Sequence, residues 1–288
     1  MPLREALCEP DNLVRAWRRY RHHRGAWSAT VPMSTVRRDP LGHVLRLADD
    51  LRRGRYRPAS PLLLPLRKAD GGTRTIAIYP LRDRIAQRAA LQLLQGRVDA
   101  DMSPCSFGFR PGLGVAHALA AARAALARGC WWAVDADIER CFDNLPRQQL
   151  LQQAERRLQD DEAPRLVAEV MGWASPQARA QAGVPQGACL APWLCNLLLW
   201  QLDDEAAARG WSWVRYADDL MILMATRRSA EGAHAQLQTL LERLQLRLHP
   251  EKTRIACATS PLRFLGSSLQ VTLALPAPAA PVAGASCC

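Results

Sequence analysis

The chain has 288 residues and a mass of 31.9 kDa; 49% of the residues are hydrophobic and 23% are charged, a composition that excludes overall disorder. Its net charge of +11 arises entirely within residues 1–90, which carry 19 basic and 8 acidic side chains. We therefore expect this third to bind a polyanion, either nucleic acid or an anionic membrane surface. No run is long and apolar enough for a membrane span, and the start lacks the apolar core of a secretory signal.

The nine cysteines are scattered and include no Cys-x-x-Cys pair, which argues against a zinc site or a disulfide framework. Reduced thiols of this kind favour a cytoplasmic location.

Hydrophobic periodicity and turn residues predict alternating helices and short strands. In the first part, these are basic helices over 11–24 and 41–53, a hairpin from Leu62 to Ile78, and helices over 82–98 and 115–128. In the second part, they are a strand over 130–138, a long helix over 147–170, a loop over 183–187, an apolar helix from Pro192, strands over 211–216 and 220–225, and a core-facing leucine stripe from 237 to 248. The order predicts an α+β fold with a split βαβ antiparallel sheet backed by helices.

Aspartates lie where predicted strands end. Asp137 closes one strand, and Asp218 and Asp219 form the turn between two others. Turn aspartates alone are explained by bonds to nearby backbone. If the strands are neighbours in one sheet, however, the three carboxylates converge and repel one another, so a cation is expected to offset them. Carboxylate oxygens favour Mg²⁺, and two such ions roughly 3.5–4 Å apart support phosphoryl transfer.

Seven motifs, in chain order from about Leu13 to Gly266, resemble those of reverse transcriptases, particularly the group II intron-like and CRISPR-associated bacterial branch. The most specific is the box Tyr216-Ala217-Asp218-Asp219. The other motifs lie at 68–87, 106–112, 137–143, 183–192, 250–253 and 264–266. The resemblance implies a right-hand polymerase with fingers and palm over residues 61–269, a basic helical extension over 1–60, and a disordered Ala/Pro tail over 270–288. The thumb is expected to be missing or minimal.

The resemblance implies that Asp137, Asp218 and Asp219 are catalytic and hold two Mg²⁺ ions, for which Mn²⁺ can substitute. The carbonyl of Ile138 is a further expected ligand, and Asp219 is expected to contribute less directly. Asp135 shares a strand face with Asp137, but the family spacing to the following aromatic residue selects Asp137.

Nucleotide-binding residues are also implied. Lys68 and Arg74 are expected to pair with triphosphate oxygens, and Gln186 to reach the nucleotide with its amide. Phe142 corresponds to a steric gate that excludes ribonucleotides, with an ordinary core phenylalanine as the alternative. Lys252 is expected either to donate a proton to departing pyrophosphate or to serve as a structural cation. Only these two lysines occur among the 38 basic residues.

Contacts with template or primer are expected from a further set of residues: Arg82, Arg84, Arg110, Gly187 and Tyr216. The glycines of the loop 183–187 are expected to let the backbone approach the template strand. Ala191 stands where the family commonly has serine, a small change that is expected to preserve activity.

The implied reaction is RNA-directed DNA synthesis, in which dNTPs extend a DNA or RNA primer on an RNA template. The Gly-Val-Asp-Gly box of intron-encoded relatives is absent from residues 25–30. From the roughly twenty residues that follow Gly266, we expect no thumb, maturase or endonuclease domain. We therefore expect a partner, such as a CRISPR integrase acting in antiviral defence or a thumb-supplying protein. The alternatives are a mobile-element enzyme, an inactive nucleic-acid-binding remnant, and an RNA polymerase or cyclase on a similar palm.

Overall fold

The structure is a computed structural model that describes residues 1–22, 25–67 and 71–270. The predicted Ala/Pro tail, apart from Gln270, and the hairpin tip that includes Lys68 lie outside these ranges. The first part of the fold comprises α1 (Leu3–Cys8), α2 (Pro10–Tyr20), α3 (Met33–Arg38), α4 (Pro40–Arg52), β1 (Leu62–Arg67), β2 (Thr73–Ile78) and α5 (Leu81–Val98). The predicted hairpin is confirmed, because β1 and β2 pair antiparallel along their whole length.

The second part carries the main sheet. Its elements are α6 (Val115–Ala127), β3 (Trp132–Asp137), α7 (Cys141–Asn144), α8 (Arg147–Leu158), α9 (Glu162–Met171), α10 (Pro176–Ala180), α11 (Ala191–Ala208), β4 (Ser212–Tyr216), β5 (Asp219–Met224), α12 (Arg227–Arg243), β6 (Arg254–Cys257), β7 (Leu262–Phe264) and β8 (Ser267–Leu269).

The main sheet has the strand order β4-β5-β3-β6, and every neighbouring pair is antiparallel. Helices separate β3 from β4 and β5 from β6, while β4 and β5 form a hairpin. This is the split βαβ arrangement, so the predicted α+β fold class is confirmed. Because β3 lies between β5 and β6, the end of β3 is brought beside the β4–β5 turn.

Alternating strand residues bury both faces of the sheet. Val134 and Ile222 belong to a large cluster that also contains buried residues of α11 and α12, whereas Ala133 and Met221 pack with α6 on the other face. The large cluster continues into buried residues of α1, α2 and α4. The N-terminal helices and the sheet therefore share one hydrophobic core, which fixes the elements around the sheet end.

The prediction of one long helix over 147–170 is wrong, because this segment forms two separate helices, α8 and α9. Gln159 takes a left-handed backbone with φ of 50°, which ends α8. Asp160 then accepts a hydrogen bond from the Glu162 backbone N–H at 3.0 Å, which satisfies a donor at the start of α9. The apolar periodicity continues across the break and so conceals it.

A search of the described helices for membrane spans found none that combines sufficient length with sufficient apolar character.

Candidate active site

Three aspartates meet at one end of the main sheet. The register of β3 and β5 sets Asp137 directly opposite Asp219, and opposed residues of antiparallel strands have Cα atoms about 4.5–5.5 Å apart. Tyr216 and Asp219 pair across the β4–β5 hairpin, so Ala217 and Asp218 are its two turn residues. The strands are neighbours, and the three carboxylates converge.

Asp137 and Asp218 line a cleft of about 340 Å³ at this end of the sheet. The other lining residues are Ile138, Glu139, Arg140, Cys141, Phe142, Gln186, His249 and Lys252. Asp219 is exposed and lies outside this lining. The cleft therefore joins residues from four sequence motifs that are far apart along the chain.

The cleft concentrates negative charge. The pKa of Asp219 is raised to about 6, first by partial burial of its carboxylate and then by the charges of Asp218, Asp137 and Asp135. Burial likewise raises the pKa of Asp218, with Asp137 adding to the effect. The Lys252 ammonium lies 3.2 Å from Asp137 Oδ2 and lowers both pKa values. Lys252 thus acts as a counter-cation to the cluster.

The donor chemistry of this cluster fits Mg²⁺. Its carboxylate oxygens are the hard ligands that Mg²⁺ prefers, and their mutual repulsion is the kind that a divalent cation relieves. Within residues 1–22, 25–67 and 71–270, no three His, Cys, Asp or Glu side chains are already gathered in a metal-holding group.

Asp135 has a different environment from Asp137. Its Oδ2 accepts from the Arg254 guanidinium, at 3.1 Å from Nε and 3.0 Å from Nη2, and it does not line the cleft. Arg254 therefore already neutralises Asp135, and the geometry favours Asp137 as the residue that faces a ligand in the cleft.

The loop 183–187 connects the cleft to the β1–β2 hairpin. Val184 N–H donates to the Phe142 carbonyl at 2.8 Å, and Ala77 N–H donates to the Gln186 carbonyl at 2.7 Å. Both Gln186 and Phe142 line the cleft, and Phe142 also packs on the core from its other side. Hydrogen bonds thus connect the cleft wall to both the β1–β2 hairpin and the segment after β3.

Comparison with known proteins identifies the family. Residues 66–269 match the family model described as "Reverse transcriptase (RNA-dependent DNA polymerase)". The chain belongs to this family.

Curated relatives of this reverse transcriptase include two bacterial proteins. Protein YkfC of Escherichia coli (strain K12) is 28% identical over 77% of this chain and 70% of its own length. The group II intron-encoded protein LtrA of Lactococcus lactis subsp. cremoris is 22% identical over 92% of this chain and 56% of its own length. The family placement on the group II intron-like side is therefore confirmed.

A solved telomerase from Candida albicans, in complex with a fragment of telomeric RNA, shares the fold. It has a TM-score of 0.57 and 12% identity over 86% of this chain and 51% of that chain. The reverse transcriptase described here thus spans about half the length of LtrA and of this telomerase.

Gly187 has a structural role within the protein. Its φ is 110°, and an added Cβ would lie 2.3 Å from the Ala77 carbonyl oxygen. Gly183 is similar, since a Cβ there would lie 2.9 Å from the Asp143 carbonyl oxygen. The absence of these side chains lets the loop pack on the enzyme's own backbone, while the expected approach of these glycines to a template strand stays a prediction.

Arg110 is turned inward. Its Nη1 donates to the carbonyls of Ser103 at 2.7 Å and Ser106 at 2.9 Å, and its Nη2 donates to the carbonyl of Asp99 at 2.6 Å. Only 9% of the side chain is exposed. The guanidinium binds carbonyl groups of its own loop, and the expected contact of Arg110 with nucleic acid stays a prediction.

The predicted arginines at the start of α5 also contact the protein itself. Arg82 donates to the Arg57 carbonyl at 2.5 Å and covers the ring of Tyr56, and Arg84 covers the ring of Tyr20. Arg74, in contrast, is exposed on β2. Of the predicted arginines, Arg74 is therefore the most accessible to a ligand phosphate.

The Tyr216 side of the turn carries an aromatic pair. The ring of Tyr216 is half-buried and its centroid lies 6.4 Å from that of Phe109. Phe109 is 52% exposed and has a left-handed φ of 58°. Tyr216 therefore stays accessible, next to a second ring that the sequence interpretation did not select.

Arg140 and His249 line the cleft and were missed by the sequence interpretation. Arg140 has a left-handed φ of 46°, and its exposed guanidinium lies 3.2 Å from Asp143. The backbone N–H of His249 donates to the Asp137 carbonyl at 2.8 Å. Arg140 lies inside a recognised motif and His249 lies directly before one, and this signal could have indicated them.

The raised pKa of Asp219 predicts that its charged carboxylate destabilises the metal-free fold. An Asp whose folded pKa exceeds its unfolded value destabilises the fold above the folded pKa, and the penalty disappears as pH falls toward the unfolded value. In metal-free buffer at pH 7.5, the free energy of unfolding of Asp219→Asn should therefore exceed that of the wild type by about 1 kcal/mol after discounting for solvent exposure. The variant should accordingly unfold at a higher temperature.

Thermal unfolding measured from pH 7.5 to pH 4 checks this expectation. The difference between Asp219→Asn and the wild type should shrink as pH falls through 6, and Mg²⁺ should stabilise the wild type more than the variant. A variant less stable than the wild type at pH 7.5 without metal would contradict it.

Proposed function

We propose that this chain is an RNA-directed DNA polymerase that extends a primer 3′-hydroxyl with dNTPs on an RNA template. The observation that carries the proposal is that Asp137 and Asp218 line one cleft, with Asp219 opposite Asp137 on the neighbouring strand, in a chain that belongs to the reverse transcriptase family. In the reaction, the primer oxygen bonds to the α-phosphorus of the dNTP, the bond to the β-phosphate oxygen breaks, and pyrophosphate leaves.

The cleft residues have distinct proposed roles. Asp137 and Asp218, with the Ile138 carbonyl, would hold Mg²⁺, for which Mn²⁺ can substitute, and the metal supplies Lewis-acid activation of the hydroxyl and charge neutralisation. Lys252, beside Asp137, provides positive charge at the side where pyrophosphate departs. Gln186, which also lines the cleft, would contact the nucleotide through its amide.

Charge and composition suggest the wider setting. The basic excess of residues 1–90 suits the phosphate backbone of a template–primer duplex. The seven cysteines in the described ranges are free thiols, which supports a reducing cytoplasm. A CRISPR integrase or a thumb-supplying protein stays a proposed partner, and the similarity to LtrA makes a mobile-element setting an equal proposal.

Primer extension tests the proposal. Purified protein, an RNA template annealed to a labelled DNA primer, dNTPs and Mg²⁺ should give full extension products, and Asp218→Ala should give none. Duplex binding without extension in either Mg²⁺ or Mn²⁺ would favour the inactive nucleic-acid-binding remnant instead.

Phe142 is proposed to select the sugar. Phe142 lines the cleft together with Asp137 and Gln186, and a bulky ring beside the incoming sugar would leave no room for a 2′-hydroxyl. Phe142→Ala should therefore raise ribonucleotide incorporation relative to deoxynucleotide incorporation on the order of tenfold or more.

The control for this prediction is Phe142→Tyr, which keeps the bulk of the ring and should keep the wild-type preference. Competitive incorporation of dNTPs and rNTPs on one template measures the ratio. An unchanged ratio of ribonucleotide to deoxynucleotide incorporation in Phe142→Ala would contradict the steric-gate role of Phe142. A wild type that prefers ribonucleotides would favour an RNA polymerase.

A further inference from the structure

Arg215 is a fully buried charged residue directly before the Tyr216–Asp219 turn. Its side chain has no solvent exposure, and it forms a bidentate pair with Asp203 of α11. The Nη2 atom donates to Asp203 Oδ2 at 2.6 Å, and Nε donates to Asp203 Oδ1 at 2.8 Å. Arg215 does not line the cleft, so any role in the reaction must act through other residues.

The same guanidinium connects α11 to the turn and to a loop before α6. Arg215 Nη1 donates to Asn196 Oδ1 at 2.7 Å and to the carbonyl of Ala217 at 3.3 Å. Asn196 Nδ2 then donates to the Gly108 carbonyl at 2.7 Å. A continuous chain of hydrogen bonds therefore links Asp203, Arg215 and Asn196 to both backbones.

Backbone contacts reinforce this connection. Arg215 N–H donates to the Cys105 carbonyl at 2.9 Å, and Phe107 N–H donates to the Arg215 carbonyl at 2.9 Å. Gly108 lies so close to the turn that an added Cβ would be 2.5 Å from the Ala217 nitrogen. The turn is thus held by the side chain of Arg215 and by the backbone of residues 105–108.

The turn needs such support because its backbone is strained. Ala217 has a left-handed φ of 57°, a conformation that is unfavourable for residues with a Cβ. Strain of this kind persists only where the surrounding structure over-determines it, and it concentrates at functional sites. The next residue is Asp218, so the backbone conformation of Ala217 determines the position from which the Asp218 side chain extends.

Stability alone does not account for a buried ion pair. Replacing such a pair with well-packed apolar residues is often neutral or stabilising, whereas removing one partner leaves a buried unpaired charge and is strongly destabilising. The pair does provide directional bonds, which an apolar pair of similar volume cannot reproduce.

We propose that Arg215, Asp203 and Asn196 form a positioning network that fixes the Tyr216–Asp219 turn and so directs the Asp218 carboxylate into the cleft. The proposal rests on the proposed function, since it concerns the same carboxylate. Arg215 is a positioning residue: it acts on the reaction through the turn and touches neither substrate nor metal.

The double variant Arg215→Met/Asp203→Leu tests this network, because it removes the directional bonds while leaving no unpaired buried charge. We expect it to remain folded, with kcat for nucleotide addition reduced on the order of 30-fold or more, since a small misplacement of reacting groups carries penalties of this size. The Mg²⁺ concentration for half-maximal activity should rise several-fold, and affinity for the RNA–DNA duplex should stay unchanged.

A matched control is Arg4→Met/Glu169→Leu, which removes a half-buried pair of 2.7 Å between α1 and α9. It should leave kcat and the Mg²⁺ requirement as in the wild type. A folded Arg215→Met/Asp203→Leu variant with wild-type kcat and Mg²⁺ requirement would overturn the proposal and show that the network is only structural.

Asn196→Ala keeps the test decisive if the double variant fails to fold. It removes only the link between Arg215 and Gly108, so it should raise the Mg²⁺ requirement with a smaller loss of kcat, and wild-type values would overturn the proposal. Mn²⁺ affinity, measured by electron paramagnetic resonance, separates this proposal from the proposed function. If the wild type extends no primer, the proposed function fails, whereas weaker Mn²⁺ binding in Asn196→Ala still supports the network and unchanged binding overturns it.

Discussion

Asp137→Asn and Asp218→Asn are each expected to reduce single-nucleotide extension on an RNA template by at least about 10³-fold. Both carboxylates line the cleft in which we propose that the metal and the reacting phosphate meet. The amide keeps the size of the side chain but removes its charge, so it cannot neutralise a divalent cation. A loss of this size is typical when a group that stabilises charge in the transition state is removed.

Asp135→Asn is the matched control for these variants. Asp135 lies on the same strand face as Asp137 but is held by Arg254 outside the cleft lining. We expect less than about a tenfold loss, since the change affects an ion pair with a half-exposed partner. Circular dichroism and thermal unfolding should show that all three variants are folded. Equal losses in Asp135→Asn and Asp137→Asn would contradict the assignment of Asp137.

Gly108→Ala is expected to reduce activity on the order of 10²-fold without changing any charged residue. The added Cβ would lie 2.5 Å from the Ala217 nitrogen and 3.0 Å from the Tyr216 carbonyl carbon. These are backbone atoms of the turn and cannot move aside as the end of a flexible side chain can. The turn must shift, and Asp218 shifts with it, at the cost expected for a misplacement of about 1 Å.

Gly96→Ala is the control for the glycine substitution. Gly96 lies inside α5, and an added Cβ there has no neighbour within 4 Å. Alanine favours helix more than glycine by about 1 kcal/mol, so this variant should unfold at a higher temperature and keep wild-type activity. Steady-state primer extension and thermal unfolding measure both properties. Wild-type activity in Gly108→Ala would show that the turn tolerates displacement.

The fold of the sheet could be predicted because its determinants are local. Strand alternation and a turn at Ala217–Asp218 define the β4–β5 hairpin, and a buried run ending at Asp137 defines β3. The resemblance to reverse transcriptases supplied their adjacency, and the register of Asp137 opposite Asp219 agrees with it. A carboxylate cluster was therefore expected from the sequence before its geometry was known.

Arg215 shows why other features escaped prediction. In the sequence it reads as a polar residue in an alternating strand, where an exposed position is the ordinary expectation. Its burial depends on Asp203 and Asn196, which belong to a helix that reaches β4 only in the folded chain. No local pattern specifies such a pairing, because it is a tertiary contact between two elements.

The glycines and Arg110 illustrate the same limit. Their motifs were recognised, but a motif names residue types and does not reveal what each contacts. Gly187 accommodates the backbone of Ala77 in the β1–β2 hairpin, and Arg110 binds carbonyls of its own loop. Both residues support the site from within the protein, a role that family resemblance alone cannot distinguish from contact with nucleic acid.

Divalent-ion binding tests most directly whether Asp137 and Asp218 share their ions. Mn²⁺ can be titrated, with electron paramagnetic resonance detection, into wild-type protein, Asp137→Asn, Asp218→Asn and Asp135→Asn, each with an RNA–DNA duplex and a non-reactive dNTP analogue. We expect tight binding in the wild type and in Asp135→Asn, and at least about tenfold weaker binding in each of the other two. Unchanged Mn²⁺ affinity in Asp137→Asn would show that the carboxylates at the end of β3 and in the β4–β5 turn do not form one metal site.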